Sequence, residues 1–171
     1  MSPEPLHCIF ISVGSNIDRE KHIKSGLDAM HKAFGPMVLS TVYESESVGF
    51  KGRDFYNLVV QASTELGVTE VMQTLKQIER NNLRSHGGKK FSPRTLDLDL
   101  LLYDKFTTLS PVELPRGEIL YNAFVLQPLA EIAPLVTHPI SGETYQSLWR
   151  KYDKSTQHLW PINFIWSADP Q

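Results

Sequence analysis

The sequence predicts an α+β fold, a mainly antiparallel sheet with helices packed on it. Three observations point there. Short apolar, β-branched runs bounded by turn residues recur along the chain, as strands do. Two stretches between them carry apolar residues at helical spacing. The order of the two kinds is β-α-β-β-α-β with C-terminal additions, the split βαβ or ferredoxin-like arrangement. In such a fold helices cover one face of the sheet, and the other can stay open to ligands.

The elements follow in order. "HCIFISV" (7–13) reads as the first strand, and "GSN" (14–16) breaks it. Asp18 is placed to cap a helix that puts Ile23, Leu27, Met30 and Phe34 on one face, and Gly35-Pro36 ends it. "MVLSTVYES" (37–45) is the second strand, "VGFKGRD" (48–54) a loop, and "FYNLVVQAST" (55–64) the third strand. Thr69 is a candidate cap for the next helix, which turns Val71, Met72, Leu75 and Ile78 inward and fades near Asn81-Asn82. "LRSHGGKKFSPR" (83–94) is a cationic loop with a Gly-Gly pair, and "TLDLDLLLY" (95–103) is the fourth strand. "TTLSPVELPRG" (107–117) is a proline-marked connection, "FVLQPLAEIA" (124–133) ends in a short helix, and "HLWPINFIW" (158–166) can dock as a strand on a partner the sequence does not name.

Bulk properties bound the function. A chain of 171 residues fits one domain, expected to span residues 1–171. The net charge of −2 gives no electrostatic case for nucleic acid or a membrane surface. A single cysteine, Cys8, rules out an internal disulfide and suits a reducing compartment. The opening stretch lacks a basic n-region and an apolar run long enough for a signal or a span, so the expected location is the cytoplasm. The histidines are scattered, and none pairs at zinc spacing beside a carboxylate or cysteine.

The chemistry is concentrated at Asp97 and Asp99, one residue apart inside a leucine run. A buried ionised carboxylate is costly unless it is paired or bound to metal. On a strand, residues i and i+2 share a side, so both aspartates face one way with Leu101 beyond them. Leu96, Leu98, Leu100 and Leu102 are expected on the other face. On a helix the pair would diverge by about 200°. Two hard oxygen ligands suit Mg²⁺, which takes one or two carboxylates and completes its shell with water and phosphates. The plainer use of the pair is one aspartate on a nearby arginine and the other in solvent. Arg94 upstream and the basic loop before it favour the metal-and-phosphate reading, since metal plus Lys/Arg clamp is the usual equipment of phosphoryl transfer.

At these residues the sequence resembles the 6-hydroxymethyl-7,8-dihydropterin pyrophosphokinase family. "PRTLDLDLLLY" carries the resemblance, and "VGSN", "FYNLVV" and "IERNNLR" before it and "FVLQPLAEIAPL" after it extend the match in order along most of the chain. The resemblance implies transfer of diphosphate from ATP to the hydroxymethyl group of the reduced pterin, with release of AMP, in folate biosynthesis. It implies two Mg²⁺ ions on Asp97 and Asp99, and ATP and a pterin as the small-molecule partners. It sets Arg84 and Arg94 on phosphates, where a planar fork serves well, and Glu79, His86, Leu100 and Arg116 beside the nucleotide. It sets Ser45, Val48, Phe55, Asn57, Phe91 and Phe124 around the pterin. Asn57 can both donate to and accept from an amide edge, and the aromatic residues can stack. Core packing is the other use of Phe55, Phe124 and Leu100, and a solvated charge the other use of each arginine.

The chain departs from that pattern on the nucleotide side. In "LPRGEILYNAFVL" Arg116 replaces a histidine, Gly117 follows, and Asn122 stands where an arginine is usual. Pro111 and Glu113 also stand at positions that should face the nucleotide, and His86 takes the place of an arginine. Losing one charge-assisted phosphate contact costs roughly 1.5–3 kcal/mol. Arg116, Lys89 and Lys90 are the candidates to compensate. Alternatives therefore stay open: a non-catalytic pterin-binding or regulatory protein, or a kinase for another pterin. A D-x-D glycosyltransferase shares the metal logic, but no βαβ series with a phosphate loop accompanies it.

Overall fold

The computed structural model describes residues 6–46, 54–83, 95–155 and 157–168. The first strand, β1, spans His7–Ser15 and is followed by helix α1, Arg19–Phe34. The second expected strand is two short pieces, β2 (Val38–Leu39) and β3 (Tyr43–Ser45). Strand β4 covers Phe55–Thr64, helix α2 Val68–Leu83 and strand β5 Asp97–Tyr103. A 3₁₀ turn at Gly117–Leu120 leads into helices α3, Ala123–Ile132, and α4, Tyr145–Lys151. Strand β6, Leu159–Pro161, completes the order.

The sheet runs β5-β1-β4-β3-β6, with β2 beside β3 on β4. Every one of these pairings is antiparallel. The two central strands, β1 and β4, are therefore adjacent although a helix and two short strands separate them in sequence, as the split βαβ arrangement requires.

Period two along the strands sorts the side chains onto two faces. Ile9, Ile11 and Val13 of β1, Leu58 and Val60 of β4, and Leu98 and Leu100 of β5 form one core with Ile23, Leu27 and Met30 of α1 and Val71, Leu75 and Ile78 of α2. Phe10, Val59 and Leu101 point the other way, into a second core with Val125, Leu126 and Leu129 of α3 and Tyr145 of α4. Here the fold differs from the expectation of one covered face. The C-terminal helices, one of them unexpected, roof part of the face that was to stay open.

Leu102 is a second correction. It belongs to the α3 side together with Leu101. The register of β5 on β1 slips between Phe10 and Ile11, where Ile11 faces Leu100 but Phe10 faces Leu102. Leu101 is the extra residue of this β-bulge, and past it the alternation restarts in the opposite phase. Tyr103 accordingly returns to the first core.

The helix starts also depart from expectation. Asp18 stands at the α1 N-cap in the left-handed region (φ 41°), and its side chain accepts no capping bond. Only its carbonyl serves the helix, from His22 N–H at 3.0 Å. Thr69 lies inside α2 rather than at its start. The Gly67 amide preceding the helix instead donates to Glu70 Oε1 at 3.4 Å.

The C-terminal segment finds its partner in β3, pairing Leu159 with Ser45 and Pro161 with Tyr43. Beyond it Ile162, Phe164 and Trp166 pack against the first core. Trp160 Nε1 donates to Glu44 Oε1 at 3.2 Å and Trp166 Nε1 to Asp28 Oδ1 at 2.9 Å. No helix among the described residues is long and apolar enough to cross a membrane.

Candidate active site

The register brings five of the sequence-predicted residues onto one face of the sheet. Asp97 is opposite Gly14, Gly14 opposite Asn57, and Asn57 opposite Tyr43. Partners across a ladder share a face, so this row crosses β5, β1, β4 and β3 on one side of the sheet. The next row sets Asp99 against Ser12 and Ser12 against Val59. On the far flank Phe55 is opposite Ser45. Asp97, Asp99, Asn57, Phe55 and Ser45 thus all project from the same face, the one that α3 partly roofs. Phe124, the second residue of α3, packs half-buried at the margin of that roof.

Asn57 is buried (6% exposed), and its Nδ2 donates to Ser45 Oγ at 3.3 Å. It lies over a glycine: a Cβ on Gly14 would stand 2.7 Å from Asn57 Oδ1. The "GSN" stretch, read from the sequence as a strand break, therefore supplies the bare backbone on which the asparagine amide rests.

Asp97 and Asp99 are half-buried at the start of β5. Glu79 reaches the same strand from α2, where its Oε2 accepts the Leu98 amide at 2.8 Å. Burial pushes the Glu79 carboxyl above the ordinary glutamate range, the Leu98 hydrogen bond pulls it back, and the nearby charges of Asp97 and Asp99 raise it further. Three carboxyl groups therefore act on one short piece of strand. The Leu100 side chain is on the opposite face, 3% exposed in the first core.

Arg116 lies against the pair. Its guanidinium stands 3.5 Å from Asp99 Oδ1 and donates through Nε to Glu118 Oε1 at 3.0 Å. Its backbone amide donates to the Leu101 carbonyl at 2.9 Å, which ties this segment to β5. Of the other departures, Gly117 N–H donates to Glu113 Oε1 at 3.0 Å. Asn122 Nδ2 donates to Glu118 Oε2 at 3.0 Å, and its Oδ1 accepts from Gln157 Nε2 at 3.2 Å. Pro111 sits in an exposed turn. Val48, Arg84, His86, Phe91 and Arg94, with Lys89 and Lys90, lie outside the described residues.

The donor set fits magnesium. Two hard carboxylates share a face, and Mg²⁺ takes one or two carboxylates and fills the rest of its shell with water and phosphate. Asn16 Oδ1 and Thr95 Oγ1, buried polar atoms just past the end of β1 and just before the start of β5, have no hydrogen-bond partner among the described residues. Polar atoms in that state suit a hydrated ligand.

Residues 10–134 match the family model described as 7,8-dihydro-6-hydroxymethylpterin-pyrophosphokinase (HPPK). The chain belongs to the HPPK family. A 2-amino-4-hydroxy-6-hydroxymethyldihydropteridine pyrophosphokinase of Aquifex aeolicus is 33% identical over 135 residues, covering 77% of this chain and 84% of that protein. The enzyme of the same name from Bacillus subtilis is 32% identical over 151 residues, covering 83% of this chain and 90% of its own. Among solved structures, Plasmodium falciparum HPPK-DHPS with pteroate superposes with a TM-score of 0.71 at 14% identity, over 86% of this chain. At that identity the likeness speaks for the HPPK fold, and this chain spans only 43% of that one.

Proposed function

We propose that this chain transfers the diphosphate of ATP to the hydroxymethyl group of 6-hydroxymethyl-7,8-dihydropterin, forming the pterin diphosphate and AMP in folate biosynthesis. One observation carries the reading: the residues for the pterin (Ser45, Phe55, Asn57) and those for the metal (Asp97, Asp99) project from a single face of one sheet. Family membership and the names of the relatives support the same substrates.

In this reading Asn57, propped on Gly14, presents its amide to the complementary edge of the pterin. Phe55 and Phe124 offer ring faces to the heterocycle. Asp97 and Asp99 would hold two Mg²⁺ ions. Magnesium, when bound, offsets the charge of the triphosphate and lowers the pKa of the attacking hydroxyl. The pterin oxygen bonds to the β-phosphorus as the bond between that phosphorus and the α,β-bridging oxygen breaks. The hydroxyl proton leaves to solvent, and AMP departs. Arg84 and Arg94 are assigned to the phosphates, and Glu79 fixes the strand from which both aspartates project. Positioning and preorganised charge supply the catalysis. Cys8 is a free thiol, in keeping with a cytoplasmic setting.

The Asp99–Arg116 contact favours a second reading, a pterin-binding protein that no longer transfers diphosphate. AMP release from ATP, Mg²⁺ and 6-hydroxymethyl-7,8-dihydropterin separates the two. The first reading expects AMP that depends on both pterin and metal. Tight pterin binding with no AMP would establish the second.

A further inference from the structure

We propose that Arg116 is a resident counter-ion for Asp99, holding that carboxylate in the ligand-free chain and passing to a phosphate oxygen when the metal and nucleotide arrive. This rests on the pyrophosphokinase reading of the site. Arg116 is anchored at two points, one on its side chain and one on its backbone. Glu118 Oε1 accepts its Nε at 3.0 Å, and the backbone amide holds the Leu101 carbonyl at 2.9 Å. The remaining prong lies 3.5 Å from Asp99 Oδ1, longer than a strong charge-assisted bond of 2.7–2.9 Å. Arg116 is thus tethered by Glu118 and only leans on Asp99, the geometry of a group that can let go.

The tether continues. Glu118 Oε2 accepts Asn122 Nδ2, and Gln157 contacts both the Asn122 side chain and the Ala123 amide at the start of α3. The cation on the metal carboxylate is therefore tied to the helix that carries Phe124. An arginine fixed this way keeps two like charges compatible before a cation is present. It also offers a planar fork to phosphate once Asp99 is taken. Here lies a use for the departure at 116: the cationic group removed elsewhere on the nucleotide side is replaced by one that also attends the metal ligand.

The test is Mn²⁺ binding to the nucleotide-free protein, followed by electron paramagnetic resonance. Arg116→Ala should bind Mn²⁺ about tenfold more tightly than wild type, the size of one charge-assisted contact removed. Arg116→Lys keeps the charge but not the fork, and its Mn²⁺ affinity should stay closer to wild type than that of Ala. Both variants should bind Mg²⁺ with a non-hydrolysable ATP analogue more weakly than wild type in calorimetry. Wild-type Mn²⁺ affinity in Arg116→Ala would overturn the inference, while analogue binding by wild type keeps the pyrophosphokinase reading intact. A wild-type chain that binds neither Mn²⁺ nor the analogue would instead sink that reading and this inference with it.

Discussion

Asn57 lies across Gly14 so closely that a single methyl group on the glycine would meet Asn57 Oδ1 at 2.7 Å. Such a distance forces the flexible amide aside rather than the strand. Gly14→Ala should therefore fold normally and lose about tenfold in pterin affinity, the worth of a well-placed hydrogen bond or two. Binding of Mg²⁺ with an ATP analogue should be unaffected. Calorimetry with each ligand separately checks both halves. Equal losses for pterin and nucleotide would mean a general distortion instead.

Asp97→Asn and Asp99→Asn preserve shape and remove charge. Each should cut AMP release at least a hundredfold, since each deletes charge-assisted contacts of roughly 1.5–3 kcal/mol whose effects compound in the transition state. Rapid-quench assay of AMP checks this. Near-wild-type turnover in either variant would remove that residue from the metal site.

Glu79 predicts a pH dependence of stability. Its carboxyl titrates above the ordinary glutamate range in the folded chain, through burial first, opposed by the Leu98 amide, and then through Asp97 and Asp99. Between the unfolded value, about 4.3, and the raised folded one, the folded state holds more protons. Stability then falls as pH rises through that window. Glu79→Gln removes the titration, so its stability relative to wild type should improve from pH 4 toward neutrality. Urea midpoints across that range measure it, and a constant difference would contradict the assignment.

The C-terminal segment should contribute to stability rather than trail from the domain. Trp166 packs on the first core and its indole donates to Asp28 at 2.9 Å. Trp166→Ala should cost about 1–3 kcal/mol, from lost packing and one hydrogen bond. Thermal unfolding reads this directly, and an unchanged midpoint would show the docking to be incidental.

Much of this was legible in the chain itself. Strands β1, β4 and β5 carry their period in their own residues, and β4 was expected with its observed bounds. The shared side of Asp97 and Asp99 follows from strand geometry alone. What escaped depended on contacts distant in sequence. The break between β2 and β3 is held by Ser40 Oγ, which accepts the Val59 amide at 2.9 Å, and by Glu131, which accepts the Thr41 amide and the Thr41 and Tyr43 hydroxyls. Nothing local to 37–45 announces it. Helix α4 is one short stretch with a Thr144 cap, its hydroxyl accepting Ser147 N–H at 3.1 Å, too brief for a periodic signal. Arg116 could be seen as a departure from the family, but its seat on Asp99 could not.

The side taken by Leu102 shows how much rests on a single surplus residue in β5. Three consecutive leucines, Leu100 to Leu102, look interchangeable on paper, yet they straddle a phase reversal. Pairing the same residues without the bulge would leave hydrophobicity untouched while inverting one half of the strand relative to the other. Either the acidic pair would be driven beneath α1 and α2, or Tyr103 would be turned toward α3. The leucine run works as a joint, letting one half of the strand anchor a roof while the other half keeps its charges facing outward.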